Sequence, residues 1–325
     1  MHIPICRTAS FLLSVAAMLG ACGGGSDSAP ATPATVKPVS GTVATPSAPV
    51  SAPITTPVTT PVTAPVTAPV TAPVTTPVAT QVTSATWKSA VTDTWQWQLT
   101  GTLNTAYDVK VYDIDLYDTP ATTIRALQNS GRKVLCYFSA GSSENWRADF
   151  SSFAAADMGN ALDGWAGERW LDTRSNNVRT IMKARLDLAK SKGCDGVEPD
   201  NVDGYNNSTG IALTAVTQLD YNRFLATEAH ARGLAIALKN DVGQLADLVG
   251  DFDLAVNEQC HQYSECAGYA AFVNAGKPVF NAEYASKYQS AGSARDTLCA
   301  DAKNLGIRTL VLPLALNGST RFSCD

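Results

Sequence analysis

From Thr94 onward the chain alternates short runs rich in β-branched and aromatic residues with longer stretches whose apolar positions recur every three or four residues. That alternation is the signature of a parallel sheet covered by helices. Eight runs predict strands: Thr94–Leu99, Val109–Leu116, Lys133–Ser139, Gly196–Asp200, Leu234–Lys239, Leu254–Glu258, Pro278–Tyr284 and Thr309–Leu314. Helices are predicted over Thr122–Ser130, Val178–Ser191, Asp220–Arg232, Gly243–Val249, Tyr269–Ala275 and Ala294–Leu305. Glycines at 131, 193, 233, 276 and 306 stand where a left-handed stop residue ends a helix. Eight strands in about 240 residues predict an α/β fold of the (β/α)8 TIM type. Polar residues sit at the strand ends: Asp115, Asp200, Lys239, Glu258 and Glu283. A single one of these reads as a loop-entry residue, but five predict a site, because a barrel carries its active site on the face where its strands end.

The amino-terminal pattern is different. Arg7 precedes an apolar run, Phe11 to Leu19, too short to span a bilayer, and the run closes on Leu19-Gly20-Ala21-Cys22. Residues 1–22 resemble a lipoprotein signal whose Cys22 is lipidated; the plainer alternative is an ordinary cleaved signal. Either predicts export. Residues 23–85 repeat Thr-Ala-Pro-Val and Thr-Thr-Pro-Val, and 12 of the 17 prolines lie between Pro30 and Pro77. Such a segment cannot bury a core and predicts a disordered linker, reaching roughly 180 Å if sixty residues extend as polyproline II. The expected arrangement is a tethered domain, residues 86–325, acting as a monomer on something large outside the cytoplasm.

Charge narrows the partners. The chain carries a net −5, and removing the first 85 residues leaves 22 basic and 28 acidic side chains, so nucleic acid is not an expected partner. Six cysteines remain in the folded part, an even number that suggests disulfides in an exported protein. Cys260 with Cys266 and Cys299 with Cys324 are the expected pairs, while Cys136 and Cys194 either pair or stay buried thiols. No zinc-ligand spacing, dinucleotide glycine fingerprint, phosphate loop or serine-hydrolase elbow occurs, so no cofactor and no metal are expected.

The chemistry lies in the carboxylates. Gly193-Cys194-Asp195-Gly196-Val197-Glu198-Pro199-Asp200-Asn201-Val202-Asp203-Gly204-Tyr205 places four acids in nine positions around one strand end. Alternation along the strand puts Glu198 and Asp200 on one face and Val197 on the other. The sixth run delivers Glu258 to the same rim. Two acids facing each other across a barrel mouth suit glycoside hydrolysis, one attacking carbon or activating water and the other protonating the leaving oxygen. The plain alternatives are a salt bridge from Glu258 to Lys239 and a calcium site of irregular oxygens.

At WQWQL, VYDIDLYD, VLCYFSAGSSENWR, GERWLDTRS, GCDGVEPDNVDGY, ALKND and NEQC, spread over Trp95 to Phe322, the chain resembles the endo-α-1,4-polygalactosaminidases, glycoside hydrolase family 114. The resemblance implies a TIM-type barrel and endo-cleavage of α-1,4-linked galactosamine polymers, with Asp200 at the nucleophile position and Glu258 at the acid/base position. A cationic galactosamine polymer suits a cleft rich in Asp115, Asp172, Glu198, Asp203 and Glu283. Asn201, Asp203 and Tyr205 are expected to orient sugar hydroxyls, Glu198 to support the site or contact an amine, and Lys239 either to act beside Asp200 or to be a surface lysine. Tyr137 and Tyr284 are the preferred sugar-stacking aromatics. Two other readings compete: a silent barrel that binds an amino-sugar polymer, and a hydrolase of a different α-linked polysaccharide.

Overall fold

The computed structural model describes residues 86–325. The expected signal at 1–22, its Cys22 and the expected linker at 23–85 lie outside the described residues. Eight parallel strands form a curled sheet in the order β1 (Trp95–Gln98), β2 (Val111–Asp115), β3 (Lys133–Ser139), β7 (Gly196–Asp200), β8 (Ala235–Lys239), β9 (Leu254–Glu258), β10 (Val279–Glu283) and β11 (Arg308–Val311). Each coincides with one of the eight apolar runs, and the fold is a TIM-type barrel. Among the described residues no ladder joins β11 to β1. On that side β11 pairs antiparallel with the two-residue β12 (Phe322–Ser323). Trp95 Nε1 donates to the Arg308 carbonyl at 3.0 Å, Leu99 N to Leu316 O at 3.0 Å and Arg321 to Trp95 O at 2.9 Å, which satisfies edge groups that would otherwise be open.

Strand periodicity sorts the core into two layers. Trp95, Trp97, Val111, Leu135, Ala237, Leu254, Val256, Phe280, Ala282 and Leu310 fill the barrel interior, where Trp95 stacks on Phe280 with ring centroids 4.9 Å apart. The opposite faces, including Ile114, Cys136, Phe138, Val197, Ile236, Leu238 and Val279, pack under the helices. Each such large side chain withdrawn from water contributes on the order of 1.5–3 kcal/mol.

The helices are α1 (Ala121–Asn129), α2 (Asn176–Lys192), α3 (Ala215–Ala231), α4 (Leu245–Leu248), α5 (Ala270–Asn274), α6 (Ser286–Gln289) and α7 (Ser293–Leu305). Ser175 caps α2 through Asn177 N and Val178 N, and Gly193 ends it in the left-handed region at φ 88°. Thr214 caps α3, so that helix starts five residues before the predicted Asp220. Between β3 and α2 lies a feature absent from the apolar pattern, an antiparallel sheet of β4 (Ser142–Glu144), β6 (Glu168–Leu171) and β5 (Met158–Ala161). The almost fully buried Arg185 of α2 holds this insert down, with Nη1 on Ser139 O at 2.5 Å and Nε on Asp149 at 2.9 Å.

Among the described residues three disulfides form: Cys260–Cys266, Cys299–Cys324 and Cys136–Cys194. The last settles the open pairing and ties β3 to the start of β7. No helix among the described residues is long and apolar enough to cross a membrane. Cys136–Cys194 spans 58 residues and Cys260–Cys266 only 6. On loop-closure entropy, converting the long-range pair to alanines is expected to lower stability by about 4 kcal/mol, against about 2 kcal/mol for the short one. Urea unfolding of the two double variants checks the ranking.

Candidate active site

The interior-facing phase of the strands carries through to the mouth. Asp113 and Asp115 on β2, Tyr137 and Ser139 on β3, Glu198 and Asp200 on β7, Lys239 on β8 and Glu258 on β9 all share the phase of the interior apolar residues. At their centre is one ammonium. Lys239 Nζ lies 3.0 Å from Asp200 Oδ1, 3.2 Å from Glu258 Oε2 and 3.3 Å from Glu198 Oε1, and its side chain is 1 % exposed. The Trp97 ring lies 4.7 Å from the same nitrogen. Burial alone would pull the lysine down; the three carboxyls outweigh it and hold the ammonium well above the usual lysine range.

Each rim carboxylate also has its own tyrosine. Tyr137 donates to Asp200 Oδ2 at 3.0 Å and Tyr284 to Glu258 Oε1 at 2.5 Å. Burial, then the neighbouring carboxylates, pushes both phenols well above their usual range, so they stay donors. Asn201 N adds a third donor to Asp200, at 2.7 Å from Oδ1.

The backbone turns sharply just beyond each rim residue. Asn201, Asn240 and Gln259, which follow Asp200, Lys239 and Glu258, have φ of 61°, 49° and 66°, a conformation that costs a non-glycine residue about 1 kcal/mol. Asparagine tolerates it, and Asn240 Oδ1 uses its position to accept from Glu258 N at 3.0 Å. At Gly141 the chain presses so close that a Cβ would fall 1.7 Å from the Asn201 carbonyl oxygen.

Beneath Lys239, Asp113 and Glu198 are both fully buried and face one another. Burial, with Asp113 adding to it, pushes Glu198 well above the carboxylate range, and burial pushes Asp113 up to about 7. Both shifts favour the neutral acid at this depth.

The other expected contacts divide. Asp115 is gripped bidentately by Arg147 at 3.2 and 2.6 Å and accepts from Tyr117 N and Asp118 N, so it anchors the rim and leaves little of itself for a ligand. Asp172 pairs with Arg174 on the insert. Asp203 and Tyr205 stand on the loop after β7, where Tyr205 bonds Asp241. Glu283 does not join the mouth. It is one residue out of phase with Tyr284, faces outward, is fully buried and accepts from His261 N at 2.9 Å. Asp113 and Glu168, not singled out from the sequence, do reach the interior and the rim. Alternation with Asp115 points to Asp113, and the GERWLDTRS segment holds Glu168 in phase with Trp170.

Among the described residues, one group of possible metal ligands falls within reach of a single ion, Cys260, His261 and Cys266. Both sulfurs are in a disulfide and cannot act as thiolates.

A parallel barrel with facing acids at its carboxyl-terminal mouth defines a class, the TIM-barrel glycosidases. The family follows from sequence: residues 76–325 match Glycoside-hydrolase family GH114, and the chain belongs to it. The crystal structure of Aspergillus fumigatus Ega3 in complex with galactosamine is 44% identical, with a TM-score of 0.70 over 74% of this chain and 98% of that one. The glycoside hydrolase domain of PelA from Pseudomonas aeruginosa is 15% identical and shares the fold, with a TM-score of 0.55 over 70% of this chain and 96% of that domain. An uncharacterized protein of Deinococcus radiodurans is 27% identical over 204 residues, 55% of this chain, which spans 64% of that relative's length.

Removing the shared cation leaves Glu198, Asp200 and Glu258 without a counter-charge. Lys239→Met is expected to destabilise the barrel by about 3–5 kcal/mol at pH 7. The loss should shrink at pH 5, where the orphaned acids can take up protons. Chemical unfolding at the two pH values measures both effects.

Proposed function

We propose that this glycoside hydrolase cleaves α-1,4-linked galactosamine-containing polysaccharide internally, with Asp200 as nucleophile and Glu258 as acid/base. The observation that carries the reading is the Asp200–Lys239–Glu258 bridge in a chain 44% identical to Ega3, a protein seen in complex with galactosamine. Oxygens 3.0 and 3.2 Å from one nitrogen lie within about 6 Å of each other. We read the pair as working by double displacement, for which the carboxyls stand about 5–5.5 Å apart, against roughly 6.5–9.5 Å where an inverting site admits a water.

In the first step an Asp200 oxygen forms a bond to the anomeric carbon while the glycosidic C–O bond breaks and Glu258 gives its proton to the departing oxygen. In the second, Glu258 takes a proton from water, whose oxygen replaces Asp200 at the same carbon. Three donors fix the Asp200 oxygens for attack. Glu258, with 28% of its side chain exposed against 17% for Asp200, has the freer route to leaving group and water. Asn201, Asp203 and Tyr205 would line the same rim and meet sugar hydroxyls.

The three disulfides support export to an oxidising compartment. The Cys22 anchor and its linker would then hold the barrel out from a membrane towards an external polymer.

The test is incubation of the purified chain with deacetylated α-1,4-galactosamine oligomers, read by mass spectrometry. Internal cleavage by the wild type is expected, with a loss of at least about 1,000-fold in Asp200→Asn and Glu258→Gln at unchanged fold. Proton NMR of the first product should show the α-anomer. Intact oligomers with folded wild-type protein would remove the substrate, and a β-anomer would remove the nucleophile.

A further inference from the structure

We propose that Glu168 is a binding site for the substrate's primary ammonium, selecting a free amino sugar over an N-acetylated one; this rests on the galactosamine reading above. Glu168 opens β6 of the insert, directly across the ladder from Glu144, and is 7% exposed. Most other acids of the rim already have a cation. Asp115 and Glu144 share Arg147, Asp172 has Arg174, and Asp200, Glu198 and Glu258 share Lys239. Asp241 is buried and closed off by Tyr205 and Asn222. Among the described residues Glu168 has no cation within ion-pair distance, and its one hydrogen bond is the Ser142 hydroxyl on Oε2 at 2.5 Å. Its Oε1 has no partner there and is not sealed from solvent.

That hydroxyl connects it to the nucleophile. Asn201 Nδ2 donates to Ser139 Oγ at 2.9 Å, Ser139 Oγ lies 2.6 Å from Ser142 Oγ, and Asn201 N holds Asp200 Oδ1 at 2.7 Å. With Ser142 donating to Glu168, every hydroxyl in the chain points the same way, towards Glu168, so the network is complete when Glu168 accepts as a carboxylate. The site is thus a nearly buried acid lacking one partner, a few hydrogen bonds from the attacking oxygen. An ammonium supplies both the charge and the donors; an acetamide supplies no charge and leaves the carboxylate uncompensated.

Burial pushes Glu168 up to about 7, with the Ser142 bond opposing it and Glu144 and Asp200 adding to it. The charged groups facing it are Glu144 and Arg147 on the insert and Asp200 on β7, with the Tyr137 phenol of β3 alongside. Below that value the acid is neutral and has little to offer a cation; above it the site is charged. Affinity for the amino sugar should therefore rise through pH 7.

The near-isosteric Glu168→Gln keeps an acceptor for Ser142 and removes the charge. On deacetylated oligomers KM is expected to rise roughly 10- to 100-fold, the range of a charged hydrogen bond, with kcat within a few-fold. The rise of wild-type kcat/KM through pH 7 should flatten; any limb contributed by Asp113 would remain in both proteins. An unchanged KM, or a fall in kcat alone, overturns the assignment. A second measurement needs no variant and no turnover. Galactosamine titrated into the wild-type chain by NMR should bind more tightly at pH 7.5 than at pH 5.5, whereas N-acetylgalactosamine should bind no more tightly at the higher pH. Equal behaviour of the two sugars sinks the ammonium site, while a wild type that binds as expected but cleaves no galactosamine oligomer sinks the assigned polymer instead.

Discussion

One buried ammonium organises this mouth. Lys239 stands at hydrogen-bond distance from carboxyls on two neighbouring strands, Glu198 and Asp200 on β7 and Glu258 on β9. Three carboxyls so close would repel in a medium of low dielectric, and a single cation relieves each pair at once. The arrangement accounts for the sequence around it. Trp97 offers its ring face to the ammonium beneath the rim. Burial favours the neutral forms of Asp113 and Glu198, which reduces the negative charge that one lysine must answer.

Geometry at the rim follows from strand phase. A parallel strand presents every second residue to the interior, so the phase that seats Leu254 and Val256 in the core also aims Glu258 at the mouth. Left-handed residues at 201, 240 and 259 then turn the chain away at once, leaving the side chains of Asp200, Lys239 and Glu258 as the last inward-facing groups of their strands. The backbone strain at these three positions lies where the carboxylates must be held in register, as expected if positioning is what the strain secures.

Much of this was legible from the sequence, and the failures share a cause. Asp200, Glu258 and Lys239 stand at the ends of clean apolar runs, so strand and phase could be read together. Glu283 and Tyr284 close the same run, and placing Glu283 in the mouth ignored that Phe280 and Ala282 set the phase for Tyr284. The early start of α3 depends on the Thr214 cap, which lies outside its apolar periodicity. The β4–β6 insert left no signal because its strands have three or four residues and its β5–β6 pairing shifts register between Met158 and Ala161. Short strands with a slipped register carry too little alternation to be seen. Arg147 and Arg185, which hold that insert to the barrel, are fixed by tertiary contacts that local pattern does not encode.

That blind spot falls on the part of the molecule to which we assign selectivity. The eight barrel strands and their ends supply two carboxylates, a cation and two tyrosines at the mouth. A barrel of this type varies its chemistry through the loops at its mouth, and here the loop after β3 has grown into a sheet of its own, bringing Glu144 and Glu168 against the rim. Two arginines pair with Glu144, while Glu168 has the Ser142 hydroxyl and only the more distant charge of Arg147. Burying an uncompensated acid disfavours the free enzyme by an amount that an ammonium returns on binding and a neutral group does not. The barrel core, the three disulfides and the clasp of Arg185 on Ser139 and Asp149 provide the rigid frame that lets such an acid persist without relaxing towards a partner of its own.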